Sequence, residues 1–325
     1  MERAKRIGGS ELLKEKGYFY ILAVPLGEED LARAEFEALV GTAANDGRLP
    51  TAPQGVDVSR AAYVSVCAEH IASAAELEEL CCQVRQENLK AAGFAIREKR
   101  IPHKLKAHLR EGVIRVADCI GGYPALGNPS VEFILVATPA GWHFGRQVSE
   151  SKRSWTRHAR KLHSCSSSIS SRMARAMVNL GGLPGQRLLD PCCGAGTILI
   201  EAADMGLKAV GCDINPLWPP RAAENARKHG LAVETFAGDA REIDGHFDVV
   251  VTNLPYGRNT PWEADLAPQI LAHMRRLAPR LVVVSGQPLE RILRDVGYQE
   301  RLRATASKGS LVRYFYSCVA LQNGP

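Results

Sequence analysis

The sequence predicts an α/β fold with a mostly parallel sheet over residues 170–325, preceded by an α+β half with short strands. From residue 170 onward, continuous apolar segments alternate with amphipathic segments, which is typical of parallel strands buried on both faces. The stretch LLDPCCGAGTILIEA runs from a strand through a glycine-containing turn into a helix. A Lys-Gly-Ser turn at 308–310 is too short for a crossover helix, so the final strand must run antiparallel.

The elements of the N-terminal half follow in order from apolar runs and amphipathic periodicity. Strands are predicted at 18–25, 61–67 and 131–138, and the segments 94–101 and 142–148 belong to the same half without an assigned type. Helices are predicted at 28–40, 74–92 and around 103–111, with a short segment at 113–120. Gly, Pro and small residues make 40–58 a long loop.

The C-terminal half begins with an amphipathic helix at 170–182 that ends in Gly-Gly. Strands are then predicted at 187–193, 208–213, 232–239, 247–255, 280–286, 298–306 and 312–321. Helices are predicted between them at 196–206, 216–230, 263–278 and 288–297. This alternation predicts a doubly wound α/β domain, whose ligands bind at the carboxyl edge of the sheet.

The composition is that of an ordinary soluble protein, with 46% hydrophobic and 23% charged residues. No apolar run approaches the ~20 residues of a membrane helix, and the charged N-terminus lacks a signal peptide's apolar core. A cytoplasmic location without membrane contact is therefore expected. The nine cysteines are odd in number and show no C-x-x-C spacing, which favours reduced, buried thiols and predicts no metal site.

Three acidic residues follow successive strands beside the glycine turn. Asp190 and the glycines 194 and 196 belong to the first strand and its turn, Asp213 ends the next strand, and Asp239 ends the third. An acid at the end of the second strand is placed to bind ribose hydroxyls. Three carboxylates would repel a phosphate, so the pattern favours a nucleoside cofactor that carries an amine and no phosphate.

The stretch VVVTNLPYG, residues 249–257, ends the fourth strand of this domain at the same edge. The side-chain oxygen of Asn253 and the carbonyl of Leu254, which precedes Pro255, can both accept hydrogen bonds from one exocyclic NH2 group. Tyr256 offers a flat face on which a planar base can stack. The pattern therefore indicates a site that holds an amine of a nucleobase, although a turn without function explains the tetrapeptide alone equally well.

Together these motifs resemble those of class I S-adenosylmethionine-dependent amino-methyltransferases, whose signatures are D-P-x-C-G-x-G and (D/N)-P-P-(Y/F). Leu254 departs from the common Pro, but only its carbonyl is needed. The segment 158–182 is similar to the one that precedes the glycine motif in tRNA guanine-N2 methyltransferases and packs beside the cofactor. The resemblance implies a Rossmann-like domain with a mixed seven-stranded sheet and S-adenosylmethionine as cofactor.

The N-terminal half is similar, more loosely, to a ferredoxin-like lead-in followed by a THUMP region, a domain that binds the acceptor end of tRNA in its family. The implied division is a lead-in at 1–73, a THUMP-like region at 74–148, a basic linker at 149–169 and the methyltransferase domain at 170–325. In the linker and the helix after it, residues 152–175 contain many Lys and Arg and no acidic residue. Four of the basic residues are placed to meet phosphates, although a solvated linker is the plain alternative: Arg153, Arg157, Arg160 and Lys161.

The resemblance assigns roles residue by residue. It places the cofactor against Asp190, Pro191, Cys193, Gly194, Gly196, Thr197, Asp213, Ile214, Asp239, Ala240 and Asn253. It places the target base against Asn253, Leu254, Pro255 and Tyr256. His158 and His163 are expected to be surface residues.

The expected function is methyl transfer from S-adenosylmethionine to the exocyclic N2 of a guanosine in tRNA, at position 10 before position 6, by a monomer. Two alternatives stay open. One is an amino-methyltransferase that acts on adenine N6 or cytosine N4 of nucleic acid. The other is a non-catalytic RNA-binding protein with a vestigial cofactor fold.

Overall fold

The computed structural model describes residues 17–255 and 266–321. Strands are β1 (Tyr18–Leu22), β2 (Thr51–Ala52), β3 (Val64–Ala74), β4 (Lys90–Arg100), β5 (Gly121–Pro124), β6 (Val131–Thr138), β7 (Gly141–Glu150), β8 (Arg187–Asp190), β9 (Lys208–Asp213), β10 (Glu234–Ala237), β11 (Val249–Asn253), β12 (Arg280–Ser285), β13 (Tyr298–Lys308) and β14 (Leu311–Ala320). Helices are α1 (Glu29–Val40), α2 (Leu77–Gln86), α3 (Leu109–Ala117), α4 (Trp155–His158), α5 (Ser171–Asn179), α6 (Thr197–Asp204), α7 (Trp218–Lys228), α8 (Leu266–Leu277) and α9 (Glu290–Asp295). Within the described ranges, no helix has the length and apolar character needed to cross a membrane.

The chain forms two compact units, and each unit consists of several stretches that are not consecutive in the sequence. The first unit contains Met1–Leu22, Ala44–Val58 and Ser65–Glu150, and the second contains the remaining stretches, Ala23–Ala43, Ser59–Val64 and Ser151–Pro325. These discontinuous units differ from the continuous division expected from the sequence, because α1 lies in the second unit, where it packs on α5 and β13. The burial of one apolar helix face, rather than chain order, decides this membership.

The first unit is built on a sheet with the strand order β2-β1-β3-β7-β6-β4-β5 in the described part of the chain. Strand β6 pairs antiparallel with β7 and parallel with β4. Helices α2 and α3 pack on this sheet, over a core that includes the stacked rings of Phe133 and Phe144, 5.3 Å apart. Whether the unit corresponds to the expected lead-in and THUMP region stays a prediction.

The helix expected around 103–111 lies further along the chain than the sequence indicated. It begins at Leu109 and ends at Ala117, so it includes most of the short segment expected at 113–120. Leu109 and Val116 are buried seven residues apart, on the face that packs against β4 and β6. This helical spacing of the buried residues explains the shift.

The second unit contains the sheet expected for the C-terminal half. Its order is β10-β9-β8-β11-β12-β14-β13 in the described residues. Strands β10, β9, β8, β11 and β12 pair in parallel, whereas β14 runs antiparallel to both β12 and β13. The prediction of an antiparallel last strand after a short turn is confirmed.

A buried carboxylate ties α1 into this unit. Glu35 is fully buried and accepts hydrogen bonds from the backbone N–H groups of Ala62 at 2.8 Å and Tyr63 at 2.6 Å. The side-chain amide of Asn179 on α5 donates to the same carboxylate at 2.7 Å, and Arg60 donates to the amide oxygen of Asn179 at 2.7 Å. Three separate stretches of the second unit therefore meet at one carboxylate.

Two histidines in the first unit share one buried hydroxyl. The Oγ of Ser73 lies 2.7 Å from Nε2 of His70 and 2.9 Å from Nδ1 of His143. Burial is the main cause that lowers the pKa of His143 to about 4, and it also lowers the pKa of His70. Both imidazoles are therefore neutral in the folded unit at neutral pH.

We expect acid to destabilise the first unit before the second. The unfolded chain protonates these histidines near their ordinary pKa of 6.5, whereas folded His143 resists protonation until about pH 4. Their stabilising contribution is therefore complete above about pH 6.5 and is lost as the pH falls towards 4, by about 2–3 kcal/mol for His143. Hydrogen exchange of β3 and β7 between pH 7 and 5, corrected for intrinsic rates, measures this loss, with β12 as the reference strand. An unchanged pH dependence in His143→Gln would contradict it.

Candidate active site

A cleft in the second unit lies where three neighbouring strands end. Asp190 ends β8, Asp213 ends β9 and Asn253 ends β11, and β8 pairs with both of the other strands. The cleft encloses about 610 Å³, open solvent at its mouth included. Its lining consists of Cys165, Ser167, Ser168, Ile169, Asp190, Cys192, Cys193, Gly194, Thr197, Ile198, Asp213, Trp218, Asn253, Leu254 and Pro255.

The glycine turn after β8 needs backbone conformations that favour glycine. Gly194 has φ +48° and Gly196 has φ +76°, and a Cβ on Gly196 would lie 2.8 Å from the Cβ of Ala222. Asp213 holds this turn, because one carboxylate oxygen accepts the N–H of Gly194 at 2.8 Å and the other accepts the N–H of Asn215 at 3.0 Å. Each carboxylate oxygen can accept a further hydrogen bond, so Asp213 still has capacity for hydroxyl groups of a ligand.

Asp190 lies at the base of the cleft and is almost fully buried. Its carboxylate accepts the hydroxyl of Thr252 at 2.9 Å and the N–H of Cys192 at 3.2 Å. Burial raises the pKa of Asp190 to about 7, against the lowering effect of these two donors. Burial likewise raises the pKa of Asp213. A phosphate would fit poorly here, since the described residues that line the cleft include two acids and no lysine or arginine.

Asn253 carries a buried polar atom that has no partner in the described part of the chain. Its side-chain N–H donates to the carbonyl of Ser167 at 3.1 Å, which orients the amide, whereas its Oδ1 is buried and without a hydrogen bond. Buried amide oxygens are nearly always satisfied in native proteins. The orientation leaves an acceptor for an N–H group of a ligand in the cleft.

The residues directly after Asn253 contribute both to the hydrophobic core and to the cleft. The side chain of Leu254 is buried in the hydrophobic core beside α8, and its N–H donates to the carbonyl of Val284 at 3.1 Å. Leu254 and Pro255 both line the cleft. Tyr256, the expected stacking platform, lies outside the described residues.

Several lining residues go beyond those assigned from the motifs, and Cys192 and Ile198, beside the glycine turn, are two of them. Cys165, Ser167, Ser168 and Ile169 belong to the segment whose resemblance implied a place beside the cofactor. Trp218, at the start of α7, was missed. A signal existed, because helices that follow parallel strands start at the carboxyl edge of the sheet, where ligands bind.

Some of the expected cofactor contacts do not line the cleft. Pro191, Gly196, Ile214, Asp239 and Ala240 are absent from its described lining. Arg241 engages Asp239 instead, through guanidinium N–H groups at 2.6–3.1 Å, and these hydrogen bonds lower the pKa of the carboxyl. Asp239 therefore forms an ion pair with a residue two positions away. The position of Asp239 at a strand end does not reveal this pairing.

The basic residues before α5 have different environments. Arg153 and Arg157 are exposed and line a shallow concavity with Lys152, and Arg160 is exposed as well. Lys161 is only partly exposed, and its ammonium group donates to the hydroxyl of Thr197 in the cleft. The amine of Lys161 thus points towards Thr197, and the phosphate contact expected for Lys161 stays a prediction.

His158 is also buried, contrary to the expected surface position. Its Nδ1 lies 2.9 Å from a carboxylate oxygen of Glu201, and Arg175 donates to both Glu201 and Asp204 at 2.8 Å. His158, Glu201 and Asp204 lie close enough to hold a cation. However, the guanidinium of Arg175 already supplies the positive charge between the two carboxylates, so the cluster is an ion-pair network between α4, α5 and α6.

The sequence profile of one protein family matches the part of the chain that forms this cleft. Residues 157–295 match UPF0020, described as RMKL-like, methyltransferase domain. This region is similar to methyltransferase domains. The cleft with its glycine turn, strand-end acids and Asn253 lies within the matched residues.

Several curated relatives are similar to a part of the chain. A tRNA (guanine(10)-N2)-dimethyltransferase of Methanothermobacter thermautotrophicus is 45% identical over 94 residues, 28% of this chain and 28% of that protein. An enzyme of the same name from Pyrococcus abyssi is 38% identical over 100 residues, 29% of this chain and 30% of its own. A tRNA (guanine(6)-N2)-methyltransferase of Archaeoglobus fulgidus is 34% identical over 102 residues, 22% of this chain and 26% of its own. The chain thus spans less than a third of these relatives' lengths.

Among solved structures, TrmN from Thermus thermophilus is similar in fold. It aligns over 94% of this chain and 100% of its own, with a TM-score of 0.51 and 20% sequence identity. At this identity the likeness concerns the fold alone. The class I methyltransferase fold expected for the C-terminal half is confirmed.

S-adenosylmethionine is the cofactor of this domain type, and the cleft residues fit it. Asp213 has acceptor capacity for ribose hydroxyls, and Asp190 offers a carboxylate to an ammonium group. The described lining contains no basic side chain that would bind a phosphate, a group that this cofactor lacks. When bound, the cofactor supplies an electrophilic methyl group.

We expect Asp213→Ala to lower affinity for S-adenosylhomocysteine by about one to two orders of magnitude. The substitution removes hydrogen bonds to a charged group worth about 1.5–3 kcal/mol. It also removes the acceptor of the Gly194 N–H, so Asp213→Asn, which keeps one acceptor oxygen, should lose less. Calorimetric titration measures both variants, with the exposed Asp295→Ala as control. Wild-type affinity in Asp213→Ala would show that the ribose is held elsewhere.

Proposed function

We propose that this protein transfers a methyl group from S-adenosylmethionine to the exocyclic N2 of a guanosine in tRNA. One observation carries the proposal: Asn253 ends β11 at the cleft, and its buried side-chain oxygen has no partner within residues 17–255 and 266–321. An exocyclic amine supplies the N–H that this oxygen lacks, and the cleft lies in a methyltransferase domain. The relatives named as tRNA guanine-N2 methyltransferases support guanosine as the target.

The residues of the chain contribute by positioning the nitrogen. Asn253 Oδ1 and the carbonyl of Leu254 accept the two amine hydrogens, which turns the nitrogen lone pair away from both acceptors and towards the methyl group. Ser167 fixes the amide of Asn253, so its oxygen is oriented before the substrate binds. The nitrogen becomes cationic on attack and releases its proton afterwards, so the mechanism requires no strong base in the cleft.

The proposed position in tRNA is guanosine 10, with guanosine 6 as the second choice. Two of the reported relatives are named for position 10 and one for position 6. A second methylation of the same nitrogen accords with the relatives named as dimethyltransferases. A cytoplasmic, monomeric protein and a tRNA-binding role for the THUMP-like region 74–148 belong to the same proposal.

Methylation of unmodified total tRNA with labelled S-adenosylmethionine, followed by nucleoside analysis, tests the proposal. We expect label in N2-methylguanosine or N2,N2-dimethylguanosine, and no label in duplex DNA offered at the same concentration. Label in N6-methyladenosine or N4-methylcytidine would move the assignment to the alternative amino-methyltransferase. Binding of tRNA without cofactor binding or transfer would favour the non-catalytic alternative.

The exposed concavity of Lys152, Arg153 and Arg157 is the proposed contact for tRNA phosphates. We expect the double variant Arg153→Gln and Arg157→Gln to bind tRNA more weakly and to lower the slope of log affinity against log salt by about two. Filter binding across 50–300 mM salt, roughly the range over which phosphate contacts are screened, measures this slope. Replacement of the exposed Arg291 and Arg294 on α9 is the matched control. An equal change of slope in both pairs would contradict a local contact.

A further inference from the structure

The charges that line the cleft do not balance those of the cofactor. The methionine arm of S-adenosylmethionine carries one ammonium and one carboxylate, besides the sulfonium. Asp190 and Asp213 offer negative charge to the cationic groups, whereas the described lining offers no cationic side chain to the carboxylate. A carboxylate in a partly buried site needs a charged or strongly polarised donor. Side chains directly behind the lining can supply that donor.

Lys161 is the cation directly behind the lining at Thr197. Its ammonium group donates to the hydroxyl of Thr197, which is buried, lines the cleft and starts α6. A hydroxyl that accepts a hydrogen bond from an ammonium keeps its own proton to donate. Thr197 can therefore act as a polarised donor towards an anion in the cleft, and the ammonium adds its charge from behind.

The acid that attracts this amine, Glu201, already has other hydrogen-bond partners. Glu201 attracts Lys161, but its two oxygens accept from Arg175 at 2.8 Å and lie 2.9 Å from His158. Burial lowers the pKa of Lys161, which shows how little solvent stabilises its charge. An anion at Thr197 would compensate for that cost.

We propose that Lys161 is a positioning residue that, through Thr197, holds the carboxylate of the cofactor's methionine arm. The proposal rests on the proposed function, because it takes S-adenosylmethionine as the ligand. It assigns Lys161 a role in the cofactor site rather than a phosphate contact at the surface. The distinguishing property is selectivity, since only ligands with the carboxylate respond to the lysine.

Calorimetric titration of the full chain with two ligands tests this selectivity. S-adenosylhomocysteine has the amino-acid arm, whereas 5′-methylthioadenosine lacks it and keeps the adenosine. In Lys161→Met, affinity for S-adenosylhomocysteine should fall by about tenfold, the size of one lost charge-assisted contact, while affinity for 5′-methylthioadenosine changes by less than about twofold. Thr197→Val should show the same pattern, and the double variant should lose little more, because both residues act on one contact.

The controls separate this role from a structural one. Lys161→Arg keeps the positive charge and should preserve the preference for S-adenosylhomocysteine, even if Lys161→Met folds poorly. Lys208→Met, at the opposite end of β9, removes an exposed lysine and should change neither affinity. Equal losses for both ligands, or no loss for either, would overturn the proposal. A wild-type chain that binds neither ligand would instead overturn the proposed function.

Discussion

Asn253→Ala should reduce single-turnover methyl transfer to tRNA by about 10²–10³-fold, the usual effect of losing one preorganised polar group. Its Oδ1 is buried and has no partner among the residues that the structure describes, so its removal breaks no hydrogen bond described on that side. The side-chain N–H loses one exposed contact with the carbonyl of Ser167. We therefore expect the substitution to disturb the alignment of the amine in the transition state much more than the stability of the fold.

Binding measurements distinguish this alignment from general damage. Affinity for tRNA should change little, because phosphate contacts supply most of it, and affinity for S-adenosylhomocysteine should stay near the wild-type value. Asn253→Asp is the matched control, since it keeps an acceptor oxygen and should retain more turnover than the alanine variant. If Asn253→Ala turned over tRNA at nearly the wild-type rate with intact binding, VVVTNLPYG would be a turn only and the proposed amine site would be wrong.

Glu35→Ala should lower the free energy of unfolding of the second unit by about 3–5 kcal/mol. The substitution leaves the N–H groups of Ala62 and Tyr63 and the side-chain amide of Asn179 without their acceptor. It also removes the negative charge beside Arg60, whose pKa is already lowered by burial and by Arg175. Unsatisfied buried donors of this kind are among the largest single-residue effects on stability.

Urea unfolding monitored by hydrogen exchange in β8 and β12 measures this loss. Glu37→Ala, two residues away on the same helix and only partly buried, should change stability by less than about 0.5 kcal/mol. Equal stabilities for the two variants would show that α1 contributes nothing through its carboxylate. The same network explains why a fragment that starts near residue 150 should fold poorly: it lacks Glu35 and Arg60, which lie within the second unit.

The local pattern predicted the sheet of the second unit and the candidate site well, because their signals lie within short stretches of the chain. Apolar strands, the glycine turn and the strand-end residues Asp190, Asp213 and Asn253 each occupy a few consecutive positions. Parallel strands bring their carboxyl ends to one edge, so the prediction that these three residues share a site followed from topology alone. The structure places all three in one cleft lining.

Residues far apart in the sequence decided the features that could not be predicted. Lys161 points to Thr197 rather than to solvent, and His158 is buried against Glu201. The sequence alone does not show whether a lysine or histidine side chain is exposed or buried. The elements that pack around the side chain determine its exposure.

The sequence by itself determined the class of fold, the antiparallel last strand and the motif residues of the cleft, since periodicity, turn length and strand ends are local properties. The tertiary structure alone decided that α1 and residues 59–64 join the second unit, where Glu35 gathers donors from distant stretches. It also decided which acids and amines face the cleft. Burial and ion pairing depend on what packs against a side chain, and that packing arises only when the chain is folded.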